Sequence, residues 1–151
     1  ANLVIDTSNM SLHQLRDLVK NRLLETSETN MALLFESFGF KNGVPVDADL
    51  VYDVRCLPNP YWDTALRSLT GLDADVAKFL ESQDEVQEMV DDITAYLEKW
   101  LPRYESNNRS YITVAVGCTG GHHRSVYMGE KLRRYFSSKI KNVQIRHRDL
   151  S

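Results

Sequence analysis

The sequence has little cysteine. Cys56 and Cys118 are the only two in 151 residues. That is too few for a disulfide framework, and their separation fits a reducing cytoplasm better than export. No apolar run approaches the roughly 18 residues of a membrane span, so no membrane association is expected. No charged leader precedes an apolar stretch at the start, so no signal peptide is expected either. The chain has no internal repeat and no low-complexity tract. No segment reads G-x-x-x-x-G-K-[S/T], and none keeps the G-x-G-x-x-G spacing. This chain is therefore not expected to bind ATP through a Walker A loop or a dinucleotide through a Rossmann turn.

What is there is an ordinary soluble composition, 42% hydrophobic and 26% charged. The length suffices for one globular domain with a real core. A net charge of −3 conceals an asymmetry. Residues 109–151 hold nine Lys/Arg against two acidic residues, whereas residues 1–108 hold nine against nineteen. A basic end on an acidic body points to a surface that meets an anion, nucleic acid among them. The alternative is a solvated basic helix face.

Hydrophobic periodicity predicts strands alternating with helices. LVIDT (3–7) reads as a strand. Leu12, Leu15, Leu18, Val19 and Leu23 have helical spacing over 11–24, with Ser11 as N-cap. The polar ETSETN (25–30) reads as a linker. Strands are expected at 31–40, 49–56, 111–116 and 141–147. Helices are expected at 73–82, capped by Asp73, at 84–101, ended by Pro102, and at 125–136. LPNPYW (57–62) is expected to be a rigid, irregular loop, because Pro58 and Pro60 do not fit inside a helix or a central strand. The fold class this implies is α/β, with a mostly parallel sheet flanked by helices.

The loop GCTGGHHRS (117–125) lies between an expected strand and an expected helix. Backbone N–H groups at a helix start attract anions. Gly120 and Gly121 allow close backbone approach, and Arg124 adds a fork suited to phosphate. His122 and His123 can donate hydrogen bonds. The loop is a phosphate cradle in outline. Cys118 to Ser125 also reads C-x-x-G-x-x-R-S, which resembles the loop of cysteine-dependent phosphatases, where a thiolate attacks phosphorus. That chemistry needs an aspartic general acid, for which Asp53 and Asp63 are candidates. A metal held by Cys118, His122 and His123 is a third option. It is weakened by the divergent directions of adjacent histidines. A buried, inert thiol is the plain alternative for Cys118.

Four longer stretches carry a family resemblance: FESFGFKNGVPVDADLVYDVRCLPNPYWD (35–63), LTGLDADV (69–76), NNRSYITVAVGCTGGHHRSV (107–126) and KNVQIRHRDL (141–150). Together they closely resemble the C-terminal half of the RapZ/YvcJ family of bacterial RNase adapter proteins. The resemblance implies a phosphofructokinase-like subdomain over 27–151. Residues 1–26 would then be the tail of a preceding nucleotide-binding domain plus a linker. It also implies a non-catalytic domain without cofactor or metal. Such a domain presents a small regulatory RNA to RNase E, senses glucosamine-6-phosphate and self-associates as a dimer or tetramer.

Carried over residue by residue, the resemblance implies a ligand pocket of Asp53, Arg55, Tyr61, Cys118, Thr119, Gly120, Gly121, His123 and Arg124. Asp53 is expected to meet the sugar's ammonium or hydroxyls, and Arg55 and Arg124 the phosphate. Tyr61 and Asn42 stand where histidines are expected. His122 occupies a variable position and is left outside the pocket. Phosphate contacts to RNA are expected from Lys41, Arg133, Arg134, Lys141, Arg146 and Arg148, with Asn42 as an uncharged contact. Arg146 and Arg148 have an alternative role as charges protecting an edge strand. Trp62, Trp100, Tyr96 and Tyr104 are expected in the core or a subunit contact. His147 is expected on the surface.

Overall fold

The computed structural model describes residues 31–107 and 109–150. The expected strand at 3–7 and helix at 11–24 lie outside the described residues. So does most of the boundary region between the two expected domains.

Four strands build the sheet: β1 (Ala32–Gly39), β2 (Leu50–Asp53), β3 (Tyr111–Cys118) and β4 (Val143–His147). They run in the order β2-β3-β1-β4, and every pairing is parallel. Three helices complete the domain: α1 (Ala74–Glu81), α2 (Asp84–Ser106) and α3 (Arg124–Ser137). The fold is therefore α/β, as the alternation of elements predicts.

Successive strand residues face opposite sides. Leu33 and Phe35 of β1 and Ile112, Val114 and Val116 of β3 share one side. They form one core with Val76 and Leu80 of α1, Val90, Ile93 and Leu97 of α2, and Met128, Leu132 and Phe136 of α3. All three helices thus bury their apolar stripes on one face of the sheet. The Phe35 and Phe136 rings lie 6.0 Å apart across that interface.

Some element boundaries differ from the periodicity, each for a physical reason. β2 stops at Asp53 rather than Cys56, because the Asp53 carboxylate accepts the Arg55 N–H (2.9 Å) and turns the chain. Asp73 holds the N-cap position of α1, but its carboxylate accepts the Thr70 N–H (2.7 Å) instead of a helix amide. Pro60 opens a 3-10 turn, Pro60–Trp62, where its missing N–H costs nothing and Asn59 caps the Tyr61 N–H. The expected helix end at Pro102 is overrun: α2 continues to Ser106. Leu97 and Leu101 are buried there and Tyr104 packs against the core, which offsets the one helix bond that the proline removes. His147 is not a surface residue. It bridges Ser37 Oγ (2.6 Å) and Glu130 Oε2 (2.7 Å), tying β4 to β1 and α3.

Candidate anion-binding site

In a parallel sheet, ligands bind beyond the carboxyl ends of the strands. β1, β2 and β3 end side by side at Gly39, Asp53 and Cys118. A cleft of about 450 Å³ opens there. Its inner wall is the 118–124 loop, through Cys118, Thr119, Gly120, His122, His123 and Arg124. Its outer wall is Asn59, Tyr61, Trp62 and Arg67, and Lys41 closes one side.

Glycine is required at two places in this wall. Gly121 has φ +79°, in the left-handed region. A Cβ there would lie 2.6 Å from the Gly39 nitrogen, and a Cβ on Gly39 would lie 2.5 Å from the Gly120 carbonyl carbon. The end of β1 and the loop therefore touch backbone to backbone. The Lys41 N–H donates to the Thr119 carbonyl (3.2 Å), which fixes the 3-10 turn Phe40–Asn42 beside the loop.

Cys118 Sγ accepts the Gly121 N–H (3.3 Å) and shares a hydrogen bond with Ser125 Oγ (3.1 Å). Burial pushes this thiol up, but the bonds from Ser125 and Gly121 and the nearby Arg124 outweigh it and bring its pKa below the ordinary value. The residue is only 2% exposed. His123 is also buried, with Nε2 against the Leu66 carbonyl (3.2 Å). Burial lowers its pKa and the Leu66 and Arg67 carbonyls partly offset that, so the ring is neutral at pH 7.

Arg124 is 4% exposed. Its Nη1 donates to the Arg55 (2.7 Å) and Leu57 (3.0 Å) carbonyls, and its Nη2 reaches Thr119 Oγ1 (3.4 Å). It braces the 55–57 turn against the loop. By contrast, Lys41 is exposed and has no ion pair among the described residues. A Cβ on Gly120 would sit 4.0 Å from its Nζ. The N–H groups of Gly120, His122 and His123 make no hydrogen bond among the described residues. Unpaired loop amides beside an unpaired ammonium form an electropositive concavity suited to a phosphate or carboxylate.

The expected pocket residues are brought together unevenly. Tyr61, Cys118, Thr119, Gly120, His123 and Arg124 line the cleft, and Gly121 lies beneath it. Asp53 and Arg55 stand beside it, locked in a bidentate ion pair whose closest contact is 2.6 Å. The Arg55 guanidinium also stacks 3.9 Å above the Phe40 ring. Asp63, the other candidate general acid, accepts the Ala65 N–H (2.9 Å). His122 directs Nε2 to the Asp149 carbonyl (3.1 Å), away from the partner of His123. Cys118, His122 and His123 do not form a donor set for a metal among the described residues.

The cations expected to meet RNA fall into two groups. Arg133 pairs with Glu130 (2.9 Å), Arg146 with the buried Glu36 (2.6 Å), and Arg148 with Asp149 (3.1 Å). Lys41, Arg134 and Lys141 have no carboxylate partner among the described residues. Asn42, expected as an uncharged RNA contact, is exposed at the end of the 3-10 turn Phe40–Asn42.

Sequence reasoning missed Asn59, Trp62, Arg67 and the role of His122 in the cleft. Trp62, expected in a core or contact, is 76% exposed. The Arg67 guanidinium lies 4.6 Å over the Tyr61 ring. The cluster of prolines and aromatics in LPNPYW was the available signal, since a rigid loop bearing exposed aromatics is suited to binding.

The model of the RapZ C-terminal domain matches residues 31–151. A protein named nucleotide-binding protein from Cellvibrio japonicus (strain Ueda107) is 62% identical over 150 residues, covering 99% of this chain and 50% of that protein. Another of that name, from Pseudomonas fluorescens (strain Pf-5), is 60% identical over 151 residues, covering 100% of this chain and 53% of that protein. The chain thus spans about half the length of the curated relatives it matches. With the matching model spanning the whole described domain, the chain belongs to the RapZ C-terminal domain family.

Proposed function

We propose that this domain is a non-catalytic adapter that binds a small regulatory RNA, presents it to RNase E, and senses glucosamine-6-phosphate in the strand-end cleft. The cleft acts without metal or cofactor, and the domain works in the cytoplasm as a self-associated dimer or tetramer. The observation that carries the sensing role is the set of amides at Gly120, His122 and His123, unpaired among the described residues, beside Lys41. Those groups neutralise a phosphate and hydrogen-bond its oxygens. Tyr61, Asn59 and Thr119 supply hydroxyl and amide partners for a sugar ring. Arg134 and Lys141, exposed and without carboxylate partners among the described residues, are the open cations for RNA phosphates. The relatives carry the name nucleotide-binding protein, and this chain spans about half of their length.

The lowered thiol pKa of Cys118 favours a second reading, a cysteine-dependent phosphatase. Its 2% exposure and the engagement of Asp53 and Asp63 weigh against it. Calorimetric titration separates the two. Saturable heat with glucosamine-6-phosphate, and weaker or no heat with glucose-6-phosphate and phosphate, is the expected outcome. Equal affinity for all three would reduce the cleft to a nonselective anion site. A steady heat flow that never saturates would mean turnover and support the phosphatase.

A further inference from the structure

Asp149 is a surface-like residue by sequence, four positions past the middle of an edge strand. Its surroundings are not those of a surface residue. Its side chain is 13% exposed. Oδ2 accepts the Gly39 N–H at 2.6 Å and the Arg148 Nη2–H at 3.1 Å. The Asp149 carbonyl accepts His122 Nε2 at 3.1 Å. A Cβ on Gly121 would lie 3.0 Å from the Asp149 Cβ. One residue thus touches the end of β1 at Gly39, where the turn that carries Lys41 begins, and the glycine loop.

Arg148 reinforces this contact from the same strand end. Its Nη2 donates to the Gly43 carbonyl at 2.7 Å, and its guanidinium lies 5.5 Å from the Phe38 ring centroid. The turn Phe40–Asn42 is therefore held at both ends by residues 148 and 149, and in its middle by the Lys41 N–H on Thr119. Burial raises the Asp149 pKa and its hydrogen bonds more than compensate, so the group is a carboxylate wherever the protein is folded near neutral pH.

We infer that Asp149 is a positioning residue for the cleft, holding the turn that carries Lys41 at the distance from the glycine loop that an anion needs. This rests on the proposed sensing role of the cleft. Asp149 touches no ligand itself. It sets the separation between Lys41 Nζ and the unpaired loop amides, on which a bridging phosphate depends.

The test is a double-mutant cycle read by glucosamine-6-phosphate calorimetry, with the melting temperature of each variant. Asp149→Ala is expected to weaken binding about tenfold in the otherwise unchanged chain, and less than about twofold when Lys41→Ala is already present. Asp149→Asn, which keeps an oxygen for the Gly39 N–H, is expected to recover most of the affinity. Should Asp149→Ala not fold, Asp149→Asn carries the cycle, with an expected loss of about threefold that disappears in the Lys41→Ala background. An equal loss in both backgrounds, or no loss in either, overturns the positioning role while leaving the cleft's ligand intact. An unmodified chain that binds neither glucosamine-6-phosphate nor inorganic phosphate overturns the sensing role, and this inference with it.

Discussion

The two walls of the cleft are built on opposite plans. The inner wall, residues 118–124, is mostly buried and hydrogen-bonded into the domain: Cys118 to Ser125, His123 to Leu66, Arg124 to the 55–57 carbonyls. The outer wall, Tyr61, Trp62 and Arg67, is exposed and held mainly by stacking and by the Arg67 Nε–H on the Tyr61 carbonyl (3.0 Å). The inner wall positions backbone amides, which no side-chain substitution removes directly. The outer wall presents side chains that change without disturbing the core. Affinity and stability are therefore expected to separate along this line.

The largest effect is expected from attacking the inner wall. Gly121→Ala forces a Cβ against the Gly39 backbone at a positive φ, and a loss of about 3 kcal/mol or more in urea unfolding is expected. Arg124→Ala follows, at about 2–3 kcal/mol, because it strips the buried Leu57 carbonyl and the partly buried Arg55 carbonyl of their donor and leaves a void. Both should abolish sugar-phosphate binding through the fold. If Arg124→Ala loses binding with an unchanged unfolding midpoint, the arginine is a direct ligand instead of a brace.

Lys41→Ala is the contrasting case. It is expected to weaken glucosamine-6-phosphate binding about tenfold to a hundredfold, the range of a lost charge-assisted bond, with no change in melting temperature. Trp62→Ala on the outer wall should cost affinity only a few-fold, again without loss of stability. A fall in melting temperature for either would erase the distinction between the walls.

Smaller effects sharpen the contrast by pH. His123 has its pKa lowered by burial, so the folded state binds fewer protons than the unfolded one below the ordinary value of 6.5. Its stabilising contribution is complete above that value and is lost as pH falls below it. Melting temperatures measured from about pH 7.5 down to about 5.5 should decline, and His123→Gln should flatten that decline. The Cys118 thiol offers a last check. Iodoacetamide should modify the exposed Cys56 promptly and leave the buried Cys118 unmodified until the chain unfolds, despite its lowered pKa. Equal rates at both would show that the inner wall opens.

The parts of the molecule that were legible in sequence are those with local causes. The β-branched run at 111–116, the stripe of α2 and the glycine-rich turn before α3 follow from period and backbone sterics, and the structure has them. The glycine loop between β3 and α3, from which the cradle was expected, was legible for the same reason. The outer wall was not, because Asn59, Trp62 and Arg67 meet the loop only after the chain folds across some 60 residues. The roles of Asp53 and Arg55 were likewise hidden: two charges two positions apart read equally well as ligand contacts or as partners of each other. Arg146 shows the same limit. Nothing local reveals that it closes an ion pair on Glu36, a residue 110 positions away and 1% exposed.

The contact between Gly39 and Asp149 spans nearly all of the described chain. Made on a ribosome, the first strand and the glycine loop emerge well before the residue that joins them. A nascent chain can bury much of its core earlier, since Leu33, Phe35 and the helices are by then available. Its cleft, however, is complete only when residue 149 is free to dock. The maturation of the site thus waits for the segment at residue 149, and a ligand added to stalled nascent chains would report when that segment has left the ribosome.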